Sequence, residues 1–294
     1  NFPLELMHAL NFKFQEYEIA PWDIELRPNN IIETFSDSFI EYLAFLNRTT
    51  NQFEHWSPEL KNALNVRLYT FFQTIDGTLE WESTEKKTQL NYLNQFFQNS
   101  LPYFLIDEEL LVEMPVPQNI EEIEGYSKDQ AIWMDLILTY NKMVLPFAVL
   151  NAYSNMFLSH KMYTPWLILK SQAFQTKEGK EVWEKVSKSD QLGFFNDCFT
   201  NGIPFFTLDE ELLKEMQISQ NVDEIKQYNK NQAIWIDQIL KCNKMVLPFA
   251  VLGAYSKMFL SHNMTSSSLF FRSQAYQTME GNDLWKEVTK QKQL

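Results

Sequence analysis

The stretch Asn141-Lys-Met-Val-Leu-Pro-Phe-Ala-Val-Leu150 returns unchanged as Asn243-Lys-Met-Val-Leu-Pro-Phe-Ala-Val-Leu252, a step of 102 residues. Working outward, the same step aligns Asp107-Glu-Glu-Leu-Leu with Asp209-Glu-Glu-Leu-Leu and Gln130-Ala-Ile-Trp with Gln232-Ala-Ile-Trp. It also aligns Phe157-Leu-Ser-His with Phe259-Leu-Ser-His. Roughly half of the positions from Lys87 to Lys188 are identical to their partners, without a gap. A worn third copy precedes them. Phe72-Gln-Thr-Ile-Asp-Gly with Trp81 matches Phe174-Gln-Thr-Lys-Glu-Gly with Trp183, and Tyr276-Gln-Thr-Met-Glu-Gly with Trp285.

Self-similarity at a fixed period is the signature of repeat architectures. The expected organisation is a diverged or partial N-terminal repeat (1–86), a first full repeat (87–188) and a second (189–294). Gln293-Leu294 stands where Gln191-Leu192 stands one step earlier, so a longer array is expected; a start at Asn1 suggests trimming or processing.

Hydrophobic spacing predicts about four helices per repeat. Leu90, Leu93, Phe96 and Phe97 form one stripe over about 87–98, and Pro102 follows it. Asp107 is placed to cap a short helix ending near Met114, which the prolines at 115 and 117 stop. Ser127 is placed to cap a long helix reaching Leu158, kinked or divided at Pro146. A last helix over about 165–176 is expected to end at Gly179 in a left-handed conformation. The fold class is therefore all-α, with tandem repeats stacked as an elongated array or a multi-helix bundle.

Composition agrees with a packed helical protein. Apolar residues are 45% of the 294, including 24 Phe, 12 Tyr and 8 Trp, which excludes disorder for the bulk of the chain. Only 7 Gly and 11 Pro leave little material for the turns of a β-sandwich. The net charge of −13 opposes nucleic-acid binding and docking on anionic lipid. No transmembrane segment is expected. The apolar stretches 143–158 and 245–260 would each cover about 24 Å as helix, against ~30 Å of hydrocarbon.

Chemistry-bearing residues are few. His160 and His262 occupy equivalent positions and could act as bases oriented by Asp135 or Asp237, or simply close a helix whose C-terminal end favours a cation. Lys142 and Lys244 stand in apolar surroundings, where a lysine either loses its charge and becomes nucleophilic or lays its stem along the surface. There is no zinc, EF-hand or phosphate-loop motif, so no metal or cofactor is expected. Cys198 and Cys242 have Phe96 and Tyr140 as counterparts, so neither is required by the repeat. Small buried thiols in a cytoplasmic protein are the expectation, and the sequons at Asn47 and Asn263 are too common to imply secretion.

No pair of residues specifies a reaction. The expected function is a non-catalytic scaffold or adaptor presenting an extended surface to a protein partner. The alternative is a protein that binds an apolar small molecule or a lipid surface, with the Met-Val-Leu-Pro element lining a cavity. Candidate contact residues are Trp133, Lys142, Tyr153, His160, Trp166, Trp235, Lys244, Tyr255 and His262. Joint exposure of Tyr153, Tyr163 and Trp166 would favour the protein partner, because exposed aromatic clusters anchor interfaces.

Overall fold

The computed structural model describes residues 65–66, 68–103, 108–206, 209–243 and 245–287. The described residues form helices and no strand, as the composition requires. None of these helices is long and apolar enough to cross a membrane. His8, His55, the Asn47 sequon, Asp107 and Lys244 lie outside the described residues.

In chain order the helices are α1 (Ile75–Ser83), α2 (Lys86–Gln98), α3 (Glu108–Glu113), α4 (Ile120–Glu124) and α5 (Lys128–Asn141). Then come α6 (Phe147–Ser159), α7 (Tyr163–Gln175), α8 (Lys177–Trp183), α9 (Lys188–Thr200) and α10 (Glu210–Glu215). The last five are α11 (Val222–Ile225), α12 (Lys230–Asn243), α13 (Phe249–Ser261), α14 (Thr265–Gln277) and α15 (Met279–Glu287). Helices α2 to α7 and α9 to α14 begin at matched positions one step of 102 apart, as do α1, α8 and α15.

Several sequence expectations need correction. Among the described residues, 86–183 hold seven helices, not about four. The long helix expected from Ser127 to Leu158 is two helices, α5 and α6, joined by non-helical residues 142–146. Pro146 lies at the N-cap of α6, because a proline ring is tolerated where the amide has no partner and not inside a helix. A further short helix, α4, is capped by the side-chain oxygen of Asn119 and keeps Glu121, Glu122 and Glu124 exposed.

Gly179 is also not a left-handed terminus. It sits in the first turn of α8, where Thr176 both ends α7 and begins α8. The Thr176 hydroxyl donates to the Ala173 carbonyl at 2.8 Å and accepts from the Gly179 amide at 3.0 Å. The same corner recurs at Thr74 with Gly77 and at Thr278 with Gly281. The Gln-Thr-x-acid-Gly element is thus a helix-to-helix corner.

The left-handed positions lie elsewhere. Lys161 (φ 60°) and Asn263 (φ 61°) terminate α6 and α13, and Ser100 and Gly202 do the same for α2 and α9. At each, the next amide reaches back five residues to a helical carbonyl, as Met162 does to Phe157 at 2.9 Å. Ser127 forms a full capping box with Gln130, and Asn229 does so with Gln232. Asp209 accepts from the Glu211 amide at the start of α10, the role expected of its counterpart Asp107.

The chain divides into two compact units, Asn1–Val144 and Leu145–Leu294. In the first, α5 packs on α2 and α3. Trp133 is fully buried there, its indole N–H donating to the Leu101 carbonyl at 2.8 Å. In the second, α6 with α7 and α13 with α14 form tightly packed hairpins, and α12 packs on α9 and α10. Trp235 repeats the tryptophan contact, bonding to the Ile203 carbonyl at 2.8 Å and ringed by Phe195, Phe205 and Phe206. Burying an indole is favourable only when its N–H keeps a partner, and both copies supply one.

Candidate functional site

The unchanged ten-residue stretch builds a surface element. In its second copy α12 ends at Asn243, whose side-chain amide donates to the Met216 carbonyl. Pro248 then opens α13 and excludes helical geometry from the residue before it, so the chain runs extended. Extended backbone alternates its side chains. Leu247 is buried, whereas Val246 and Pro248 are exposed, Val246 to 97%, and Ala250 in the first turn of α13 is exposed as well. In the first copy Asn141 holds the carbonyls of Val112 and Met114, and Val144 is likewise 97% exposed. In the second unit, Leu145 is buried and Pro146 and Ala148 are exposed. Burial of such a valine is worth about 1.5–3 kcal/mol, a gain left unrealised at both places.

A polar cluster links α13 to the segment that carries α11. The Tyr255 hydroxyl donates to the Ser219 carbonyl at 2.6 Å, and a ring nitrogen of His262 meets the Tyr228 carbonyl at 2.7 Å. A carbonyl only accepts, so that nitrogen, Nε2, carries the proton. Glu224 receives the hydroxyls of Tyr228 and Ser219 through its two carboxylate oxygens, at 3.1 and 2.7 Å. Burial and the adjacent Glu224 charge push the Tyr228 phenol up to about 12. Burial, with Tyr228 and Glu224 nearby, pushes the Tyr255 phenol higher still. Both phenols are neutral donors at ordinary pH, suited to tying a loop to a helix.

The residues singled out from sequence fall into distinct places. Trp133, Tyr153, Trp235 and Tyr255 are all fully buried. Trp166 is half-buried, its ring near-perpendicular to that of Phe194, and Tyr163 is exposed. Tyr153, Tyr163 and Trp166 are therefore not exposed together, because helical periodicity turns Tyr153 to the interior of its hairpin. His160 and His262 are half-buried C-caps of α6 and α13. His262 is oriented by a backbone carbonyl and not by Asp237, which instead pairs with Lys241 at 2.6 Å. Lys142 is exposed, in left-handed geometry (φ 49°), at the C-cap of α5.

Asp135 is half-buried, and desolvation pushes its carboxyl above the usual range. Cys198 is buried, which pushes its thiol up and keeps it protonated; Cys242 is partly buried, and both are free. Among the described residues no group of three or more His, Cys, Asp or Glu side chains is arranged to hold a metal ion. Sequence reasoning passed over Val144 and Val246 because valine in an apolar run ordinarily signals core. The proline two residues later was the available sign that the run leaves the helix.

No protein-family model matches the chain, and neither a curated protein nor a solved structure matches it.

Proposed function

We propose that the protein is a non-catalytic scaffold built of tandem helical repeats of about 102 residues, which offers the Val-x-Pro-x-Ala strip of each full repeat to a protein partner. The carrying observation is that the outward residues of this strip are apolar, fully identical and solvent-exposed in both copies. Core packing accounts for Leu145 and Leu247 but not for Val144 and Val246. Two identical strips bind a repetitive partner with avidity when the span between them is matched. The helix starts recurring at one step support the repeat, and two free thiols support a cytoplasmic setting.

The test places a photo-crosslinking amino acid at Val246 in the source cells. Polypeptide adducts that vanish when Val144 is changed to Asp in the same chain support a bivalent scaffold. Adducts of a few hundred daltons in native mass spectrometry would move the function to the apolar-ligand class. Absence of any adduct would sink the strip as a binding element.

A further inference from the structure

The two copies of the ten-residue stretch are identical, but the residues around them differ in charge. Residues 107–160 carry nine acids and two lysines, a balance of −7. Residues 209–262, one step on, carry seven acids and six lysines, a balance of −1. Every change of charge between these segments runs toward positive in the second. Three of its additional lysines flank the second strip: Lys214, Lys241 and Lys257 stand where the first copy has Val112, Thr139 and Asn155.

The fold brings these lysines to the strip from two sides. Asn243 holds the Met216 carbonyl at 3.2 Å, which fixes the end of α10 against the end of α12. Lys214, on α10, consequently stands near Cys242, four residues before Val246. Its ion pair with Glu211 is solvent-exposed and contributes little. Lys241 pairs with the buried Asp237 at 2.6 Å and cancels that carboxylate. Lys257 lies on the other side, along α13. Ala250, Gly253 and Lys257 follow one another at spacings of three and four on the solvent side of that helix. Side chains on a helix lean toward its N-terminus, so the Lys257 stem is directed back toward Gly253. Among the described residues Lys257 has no ion pair. Gly253 leaves the way open, since a Cβ added to it would meet nothing within 4 Å. In α6 the same place is taken by Asn151, whose side chain accepts from Lys170 at 2.6 Å.

We propose that the second Val-x-Pro-x-Ala strip is the seat for an acidic segment of the partner polypeptide. An apolar side chain of that segment rests on Val246 and Pro248, and its backbone crosses Gly253. Carboxylates on either side of the apolar residue meet Lys257 and Lys214. Lys257 lies about 10 Å along the helix from Ala250, a span of about three extended residues. Charge complementarity decides the occupant: the lysines are concentrated here in a chain of net charge −13, and a second copy of that chain would bring like charge. The inference rests on the scaffold reading and adds that two seats alike in apolar contact differ in the charge they select.

The experiment places a photo-crosslinking amino acid at Val246 of the full chain in the source cells, and mass spectrometry sequences the captured peptide. The expected capture is a polypeptide segment with Asp or Glu about three residues from the crosslinked position. Lys257→Glu and Lys214→Glu, both at exposed positions that folding tolerates, should each lower the capture about tenfold. Lys257→Arg should preserve it, and Asn155→Glu, the same change at the first copy's counterpart, should leave it unaltered. A captured segment without acids, or capture indifferent to Lys257→Glu, overturns this inference and leaves the scaffold reading standing. Adducts to nucleic acid or lipid, or no adduct at Val246, overturn both.

Discussion

Gly179 approaches Ala173 so closely that a Cβ added to it would stand 1.9 Å from the Ala173 carbonyl oxygen. The counterparts Gly77 and Gly281 meet the carbonyls of Phe71 and Ala275 in the same way. None of the three needs a left-handed backbone, since Gly202 is the glycine with positive φ among the described residues. The requirement is for space where one helix starts across the end of another. Gly179→Ala is expected to cost about 2–3 kcal/mol, because the obstacle is backbone and cannot rotate aside. Thr176→Val should cost about 1 kcal/mol by removing the cap. Urea melts of the two variants check both values, and a neutral Gly179→Ala would refute the close approach.

The indole of Trp235 supplies both volume and a donor. Trp235→Phe keeps much of the ring packing but leaves the Ile203 carbonyl without its side-chain partner in a buried setting. The expected loss is about 2 kcal/mol, part cavity and part missing hydrogen bond. Trp133→Phe should behave alike through Leu101. Thermal melts of both variants test the equivalence, and a strong disparity between them would show that the two contacts are not the same device.

Asp135 is half-buried, and its carboxyl is raised by desolvation. A carboxyl with a raised folded pKa binds its proton more tightly folded than unfolded, so it lowers stability as pH rises above the usual carboxylate range. Asp135→Asn is therefore expected to stabilise the protein at pH 7. The gain should shrink as pH falls through that range, where the native acid is already protonated. Tm measured against pH for both proteins checks the sign.

Lys161 holds a left-handed conformation at the end of α6, the place taken by Gly202 at the end of α9. A side chain there crowds the backbone by about 1 kcal/mol. Lys161 is exposed, so Lys161→Gly is expected to raise stability by roughly that amount. A fall in Tm would mean that the lysine stem contributes more than its backbone strain costs.

Much of the helical content was legible because it rests on local chemistry. Ser127 followed by Gln130 announces a capping box, and Leu90, Leu93, Phe96 and Phe97 announce the buried stripe of α2. The break at Pro146 was legible as a kink or a division, but its extent was not. Residues 142–146 leave the helix because Leu145 is drawn inward while the proline starts a new axis, and inward has no meaning in one dimension. Gly179 misled for a related reason. A glycine after a helix commonly supplies positive φ, whereas here it makes room for a carbonyl only six residues back, brought close by the turn between two axes.

The candidate contact residues divide along the same line. Sequence marked Trp133, Tyr153, Trp235 and Tyr255 by residue type, and aromatic type is equally suited to interfaces and to cores. Tertiary packing assigned all four to the interior. It left outside Val144 and Val246, which composition alone would place within. By itself the sequence determined the helical class and the cap at Ser127, since these depend on order along the chain and on contacts within one turn. Only the tertiary structure decided which apolar residues stay in water. Val144 and Leu145 are neighbours in one apolar run, yet the first is 97% exposed and the second 4%, because burial belongs to a residue's neighbours in space.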